Sequence, residues 1–291
     1  MPRTLSIDLG GTWLRAAAVG ADGVVVSRKA VRTPIEAAAP DALVALAAEL
    51  APGTARAVIG LPGRVDHLWG RLDTGPNIPA SWVDELRSDR LSQRLGVRVE
   101  LANDADLAAV GEWAFGAARG SSDVVYVTVS TGVGAGVILN GRIVKGRRSI
   151  AEIGHTVVDR VAARAGQPAT LEALGSGATL GRAARRLGFP HAADLVEAAR
   201  RRHPAALAAL ADVLDALSVG LVNAAYAFSP EVLVIGGGLG RVPEVVSAVA
   251  TRMAESGPPG LGTRVVAATL GDDAGLMGAV AWARATGTAA R

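Results

Sequence analysis

Apolar positions near the N-terminus fall into three short runs broken by glycine turns. "TLSIDL", "WLRAAAV" and "VVVSRKAV" predict three strands, joined at "GGT" and at "ADG". "PDALVALAAELAP" carries the apolar stripe of an amphipathic helix. "ARAVIGLPGRVD" predicts a strand that runs into a glycine-proline loop. "VRVELAND" predicts another strand, and "ADLAAVGEWAFGAA" the helix after it.

The opening plan then recurs. "DVVYVTVSTGVGAGVILNGRIVKG" again reads strand, Gly/Thr turn, strand, tight turn at Asn140-Gly141, strand. The counterpart turn in the first copy is Asp22-Gly23. Two copies of one plan predict a duplicated α/β fold. From about residue 171 to about residue 228 the pattern is helical and rich in alanine. "PEVLVIGGGLG" and "TRVVAATLGDD" add two strands, and "AGLMGAVAWARATG" closes the chain as a helix. The boundary falls in "GAARGSS". It separates a small N-terminal domain, 1–118, from a larger one, 119–274, with the helix of 275–291 packing back on the first.

Composition adjusts this picture in a few ways. A chain of 291 residues suits two domains. Aromatics make up only 3%, so Val, Leu, Ala and Ile must build the core. The only lysines are Lys29 and Lys145, so the basic residues are almost all arginine. The densest runs, "GRAARRLG" and "AARRRHP", read as solvated helix faces or helix C-termini, not as a nucleic-acid surface. Absence of cysteine excludes disulfides, thiolate metal sites and cysteine nucleophiles. The apolar run at the N-terminus is too short for a signal peptide or membrane span. The expectation is a cytoplasmic protein without membrane or nucleic-acid partners.

Several segments carry candidate chemistry. In "DLGGT", residues 8–12, consecutive N–H groups at a glycine turn can cup a phosphate, and Asp8 beside them can hold hydrated Mg²⁺. A plain hairpin turn explains it equally well. "STGVGAG", residues 130–136, and "IGGGLG", residues 235–240, place two more glycine clusters after strands. Together the three suggest a nucleotide lying on backbone amides in a cleft between the halves. Asn103 and Asp104, where a strand meets a helix, suit an N-cap, or a carboxylate that accepts a hydroxyl proton. Asn77, between two prolines, suits an Asx turn or a rigid amide that reads a hydroxylated ligand. Glu152 and His155 could form a surface ion pair on a helix. Gly154 between them argues against that helix.

"DLGGT", "GLPGRVD", "GPNIPASW", "ELANDAD", "STGVGAG", "AEIGH", "TLEALGSG" and "VLVIGGGLG" occur in this order from about residue 5 to about residue 285. In that order they resemble the ROK family (repressors, open reading frames, kinases), within the actin/hexokinase/Hsp70 ATPase fold. The resemblance implies a duplicated ribonuclease-H-like α/β fold, with two domains and a cleft between them. It implies a homodimer and transfer of phosphate from ATP to the 6-hydroxyl of a hexose. Asp104 resembles the catalytic base. Gly10, Gly11 and Thr12 would cradle the phosphates, with Thr131 and Gly132 opposite. Asp8 would hold Mg²⁺ through water, and Gly236, Gly237 and Gly238 would line the adenosine end. Gly63, Asn77, Asn103, Asp104, Glu152, His155 and Glu172 would meet the sugar.

One stretch departs from the family. ROK kinases commonly carry a three-cysteine loop that binds zinc together with the histidine of the Glu-x-Gly-His motif. Here the cysteine places are Ala163, Ala165 and Thr170, so no structural zinc is expected. The sugar-facing Glu152, His155 and Glu172 are kept. Glucose is the simplest acceptor. Mannose, N-acetylmannosamine, N-acetylglucosamine and kanosamine would meet the same polar ring. Polyphosphate is an alternative donor, for which the arginine runs at 182–186 and 200–202 could serve. A ROK repressor would place a helix-turn-helix domain ahead of "DLGGT", which here begins the chain.

Overall fold

The computed structural model describes residues 3–34, 39–50, 52–75 and 78–287, the side chains of 39 and 285–287 excepted. The chain forms two compact units. The first comprises residues 1–120, 141–150 and 272–291, and the second 121–140 and 151–271.

In the first unit, β1 (Arg3–Leu9), β2 (Trp13–Val19) and β3 (Val25–Arg32) form an antiparallel meander. β4 (Thr54–Leu61) and β7 (Arg98–Asn103) extend it parallel to β1. The sheet order is β3-β2-β1-β4-β7. Leu5, Ile7 and Leu9 point one way from β1 and pack with Leu14, Ile59 and Leu43 of α1 (Ala39–Leu50). On the other face, Val58 and Ala102 meet α4 (Asp104–Phe115) and α12 (Ala274–Gly287). A Cβ on Gly278 would lie 1.8 Å from the Leu107 carbonyl oxygen, so only glycine lets α12 lie this close to α4.

A small hairpin, β5 (Arg64–Asp66) and β6 (Arg71–Thr74), precedes α2 (Ala80–Val83) and α3 (Ser88–Leu95). Arg147 pairs with Asp66 at 3.0 Å and Arg148 with Asp73 at 3.1 Å. The Ser149 hydroxyl accepts the Val65 N–H. These ties bind residues 141–150 into the first unit, whereas the sequence pattern places them in the second domain. Side-chain pairs between distant segments leave no mark in local periodicity.

The second unit repeats the plan. β8 (Val124–Val129), β9 (Val133–Leu139), β11 (Val232–Gly236) and β12 (Arg264–Ala267) give the order β9-β8-β11-β12, and β10 (Arg142–Ile143) follows β9 in the chain. β8 is antiparallel to β9 and parallel to β11, as β1 is to β2 and β4. Asn140 and Gly141 have φ of 52° and 67°, the left-handed pair that a tight hairpin turn needs. Helices α5 (Arg160–Arg164), α6 (Leu171–Gly175), α7 (Gly177–Arg186), α8 (Ala192–Arg200), α9 (Pro204–Phe228), α10 (Gly237–Gly240) and α11 (Pro243–Ser256) complete it. α9 is long and apolar enough to cross a membrane. Its Leu210, Val213, Leu217 and Leu221 are instead buried against neighbouring elements, as in the core helix of a globular unit.

Candidate active site

Each unit carries its own group of candidate residues. In the first, the β1–β2 turn presents Gly10, Gly11 and Thr12. Gly10 donates its N–H to the Trp13 carbonyl, and the Thr33 hydroxyl donates to the Gly10 carbonyl at 2.6 Å. Nothing lies within 4 Å of where a Gly11 Cβ would sit. The turn is therefore braced from behind and open in front, as an anion cradle requires. Asp8, the last residue but one of β1, lies opposite Arg15, a partner that sequence reasoning missed. The hairpin register could have found it, because a turn at 10–12 sets position 8 against position 15. Burial raises the Asp8 carboxyl above its ordinary value, the Arg15 guanidinium lowers it less, and the Asp272 carboxylate adds to the rise. A carboxylate short of counter-charge suits a cation such as Mg²⁺.

Asn103 and Asp104 stand at the end of β7 and the start of α4. The Asn103 side-chain Oδ1 accepts the N–H groups of Ala105 and Asp106, and its Nδ2 donates to the Gly63 carbonyl at 2.9 Å. Both ends of the side chain are thus engaged within the protein. It caps the helix and latches the loop that follows β4. Gly63 has a φ of 118°, and a Cβ there would lie 2.2 Å from the Thr74 carbonyl oxygen. Its glycine is required by the backbone. Asp104, partly exposed, accepts the Ala105 N–H at 2.8 Å. Asn77 lies outside the described residues.

In the second unit, Ser130, Thr131 and Gly132 turn the chain from β8 into β9. The Ser130 carbonyl accepts the Gly177 N–H at 2.7 Å. Thr131 and Gly238 line a cavity of about 740 Å³. Of the three clustered glycines, Gly238 alone borders this cavity, with open space where its Cβ would be. Gly236 and Gly237 are glycines for packing. Their Cβ atoms would meet the Tyr126 hydroxyl at 2.4 Å and the Val129 carbonyl at 2.5 Å. Arg182, Arg185 and Arg241 also line the cavity. The first two belong to the run read from sequence as a solvated helix face. They are exposed, yet the face they share borders a cavity. Periodicity identifies an outward face without saying what it borders. Volume, open glycine and cations together fit a nucleotide.

Ile153, Gly154 and His155 form a single 3-10 turn after Glu152, and no α-helix carries the Glu152–His155 pair. The glycine packs instead of breaking the turn, since a Cβ would lie 2.3 Å from the Val133 carbonyl oxygen. His155 Nε2 is 3.8 Å from Glu152, and both side chains are exposed. Glu172, in the first turn of α6, accepts the Val133 N–H at 2.9 Å. Between these motifs the loop supports itself. Val157 bridges Thr170, Val158 donates to Ala169, Leu171 donates to Thr156, and Asp159 caps α5. Ala163 and Ala165 lie at the exposed end of that helix.

Two sheets of one strand order, each with a glycine turn after its first strand, define a duplicated actin-like ATPase fold. The glucokinase of Thermotoga maritima is 32% identical over 95% of this chain and 96% of its own. A ROK-family glucokinase from Streptomyces griseus, solved with glucose and AMPPNP, is 30% identical and superimposes with a TM-score of 0.79 over 97% of this chain and 99% of its own. The ROK hexokinase from Thermus thermophilus, also 30% identical, gives 0.82 over 99% of each. The ROK family pattern spans residues 4–286, and the chain belongs to the ROK family. It is a sugar kinase.

Proposed function

We propose that the protein transfers the γ-phosphate of ATP to the 6-hydroxyl of glucose or a closely related hexose, with Asp104 as general base. The observation that carries this reading is the division of labour at 103 and 104. Asn103 is consumed in holding helix and loop, while Asp104 is held at the helix start, partly exposed. A carboxylate so placed can take the proton as the sugar oxygen attacks phosphorus. Phosphoryl transfer needs chiefly alignment and charge neutralisation. In this reading the open turn at Gly11 and the Thr131–Gly132 turn hold the phosphates. Arg182, Arg185 and Gly238 border the rest of the nucleotide. Glu152, His155 and Glu172 accept or donate to the sugar hydroxyls. Mg²⁺ held through water by Asp8 would neutralise charge that develops on the phosphate oxygens.

The arginine rim also suits polyphosphate as donor. Two of its members are already engaged, however. Arg200 forks onto Glu244 at 2.6 and 3.0 Å, and Arg182 donates to the Thr179 hydroxyl at 2.9 Å. That favours ATP. Asp104→Asn tests the base. Turnover should fall by roughly three to four orders of magnitude while glucose binding stays within a few-fold of wild type. Near-normal turnover removes Asp104 from that role. ADP release measured over glucose, mannose, N-acetyl hexoses and kanosamine ranks the acceptors, and a parallel assay with polyphosphate ranks the donors.

A further inference from the structure

Val133, the first residue of β9, is gripped on both sides by the motifs read as sugar-binding. Its N–H donates to Glu172 Oε2 at 2.9 Å. Its carbonyl oxygen lies against Gly154, where a Cβ would come within 2.3 Å. Immediately before it is the Thr131–Gly132 turn, read as phosphate-binding. Gly132 presses on the same carboxylate, since a Cβ there would lie 2.3 Å from Glu172 Oε2. The far side of the turn is fixed as well. Ser130 donates to the Gly132 carbonyl at 2.9 Å and accepts from Gly177 at 2.7 Å. Among the described residues, the hydrogen bonds that set this turn run from backbone to backbone, save the one to the Glu172 side chain. Glu172 spends only Oε2 on Val133. Oε1 makes no hydrogen bond among the described residues, and the side chain is partly exposed.

We propose that Glu172 is a positioning residue that couples the two substrates, Oε1 accepting a sugar hydroxyl while Oε2 sets the Thr131–Gly132 turn through the Val133 N–H. The inference rests on the reading of Glu172 as a sugar ligand and of the turn as a phosphate cradle. An unliganded glutamate can swing about its χ angles, and that motion leaves the turn free to shift. A sugar hydroxyl on Oε1 fixes the carboxylate, and so fixes the N–H that ends the turn. Nucleotide then binds a cradle already ordered. The coupling must be reciprocal, because sugar and nucleotide change each other's affinity by one and the same factor.

The experiment is calorimetry with glucose and AMPPNP, each titrated alone and in the presence of the other, on wild type, Glu172→Gln and Glu172→Ala. Wild type should show each ligand tightening the other by one shared factor, several-fold or more. Gln keeps an acceptor for Val133, so AMPPNP without sugar should bind within about two-fold of wild type, with glucose weakened. Ala removes the acceptor, so AMPPNP without sugar should bind about five- to ten-fold more weakly, the loss of one hydrogen bond. If Ala does not fold, Gly154→Ala displaces the same Val133 carbonyl without removing Glu172, and the same loss is expected. Independent binding of the two ligands to wild type overturns the coupling, as does equal AMPPNP affinity in Gln and Ala. Turnover of glucose by wild type in that event leaves the kinase reading standing. Absence of both binding and turnover removes that reading instead.

Discussion

Asp8 and Arg15 face each other across the β1–β2 hairpin, with Oδ2 of the acid 3.4 Å from Nη1 of the arginine. Arg15 reaches Asp272 as well, at 3.7 Å. One guanidinium therefore serves two carboxylates, and burial still holds the Asp8 carboxyl above its ordinary value.

That imbalance predicts a trade between stability and activity. A carboxyl whose folded value is raised favours the fold in its neutral form. The contribution is complete below the unfolded value of 3.8 and is lost as pH rises through the folded value. Above the folded value, burial of the charge opposes folding. Asp8→Asn should therefore raise the ligand-free Tm at neutral pH, with the gain shrinking on acidification. Turnover with Mg·ATP should fall by roughly 10²-fold or more. Mg·AMPPNP should stabilise wild type far more than the variant in thermal melts. A lower Tm for the variant at neutral pH would show that the Arg15 pair outweighs burial.

Asn103 separates two jobs by atom. Asn103→Ala loses the helix cap, about 1 kcal/mol, and the bond to the Gly63 carbonyl, about 1 kcal/mol more. Asn103→Asp keeps the cap and loses only the donor to Gly63. Urea melts should rank Asp above Ala. The sugar KM should rise in both, because the Gly63 loop is released in both. An unchanged KM in Asp would detach that loop from the sugar.

The repeated strand plan was legible because its glycine turns and apolar runs are local, and local pattern is what a sequence displays. The β5–β6 hairpin was not. Its strands are three and four residues long, and Arg147 and Arg148 hold it from across the sequence. Residue types at the site were legible, but their employment was not. An asparagine before a helix can cap, latch or bind, and only the position of Gly63 decides between these. Gly236, Gly237 and Gly238 read as one motif, yet two pack on β8 and one faces the cavity. Pattern names the glycine without naming what approaches it.

That last division can be measured. Gly237 has a φ of 75° and sits 2.5 Å, at its would-be Cβ, from the Val129 carbonyl. Gly237→Ala should destabilise by about 1–3 kcal/mol through backbone strain and the clash. Gly238→Ala meets open space, so its melt should match wild type, while its ATP KM rises several-fold. Equal melts for the two variants would contradict the packing account.

The 156–171 loop is closed by its own backbone. Where zinc-bearing relatives would place ligands, this chain has Ala163, Ala165 and Thr170, and no cluster of three metal-binding side chains occurs among the described residues. The backbone supplies the closure instead. The Val158 and Leu171 N–H groups donate across the neck of the loop at 2.9 Å, and Ala169 is buried beneath it. At the tip, Asp159 accepts the Val161 and Ala162 N–H groups at 2.8 and 2.9 Å, and Gln167 closes back on Ala162. Among the described residues, this cap supplies the only side-chain hydrogen bonds that hold the tip. Asp159→Ala should cost about 1 kcal/mol. It should raise the sugar KM more than it lowers kcat, because the loop ends carry His155 and Glu172. Added zinc should not rescue it, and chelation should leave the wild-type melt unchanged in Mg²⁺-free buffer. Stoichiometric zinc in the purified protein, or a Tm that drops on chelation, would mean that oxygen and nitrogen ligands have taken over the metal, and the self-supporting loop would have to be abandoned.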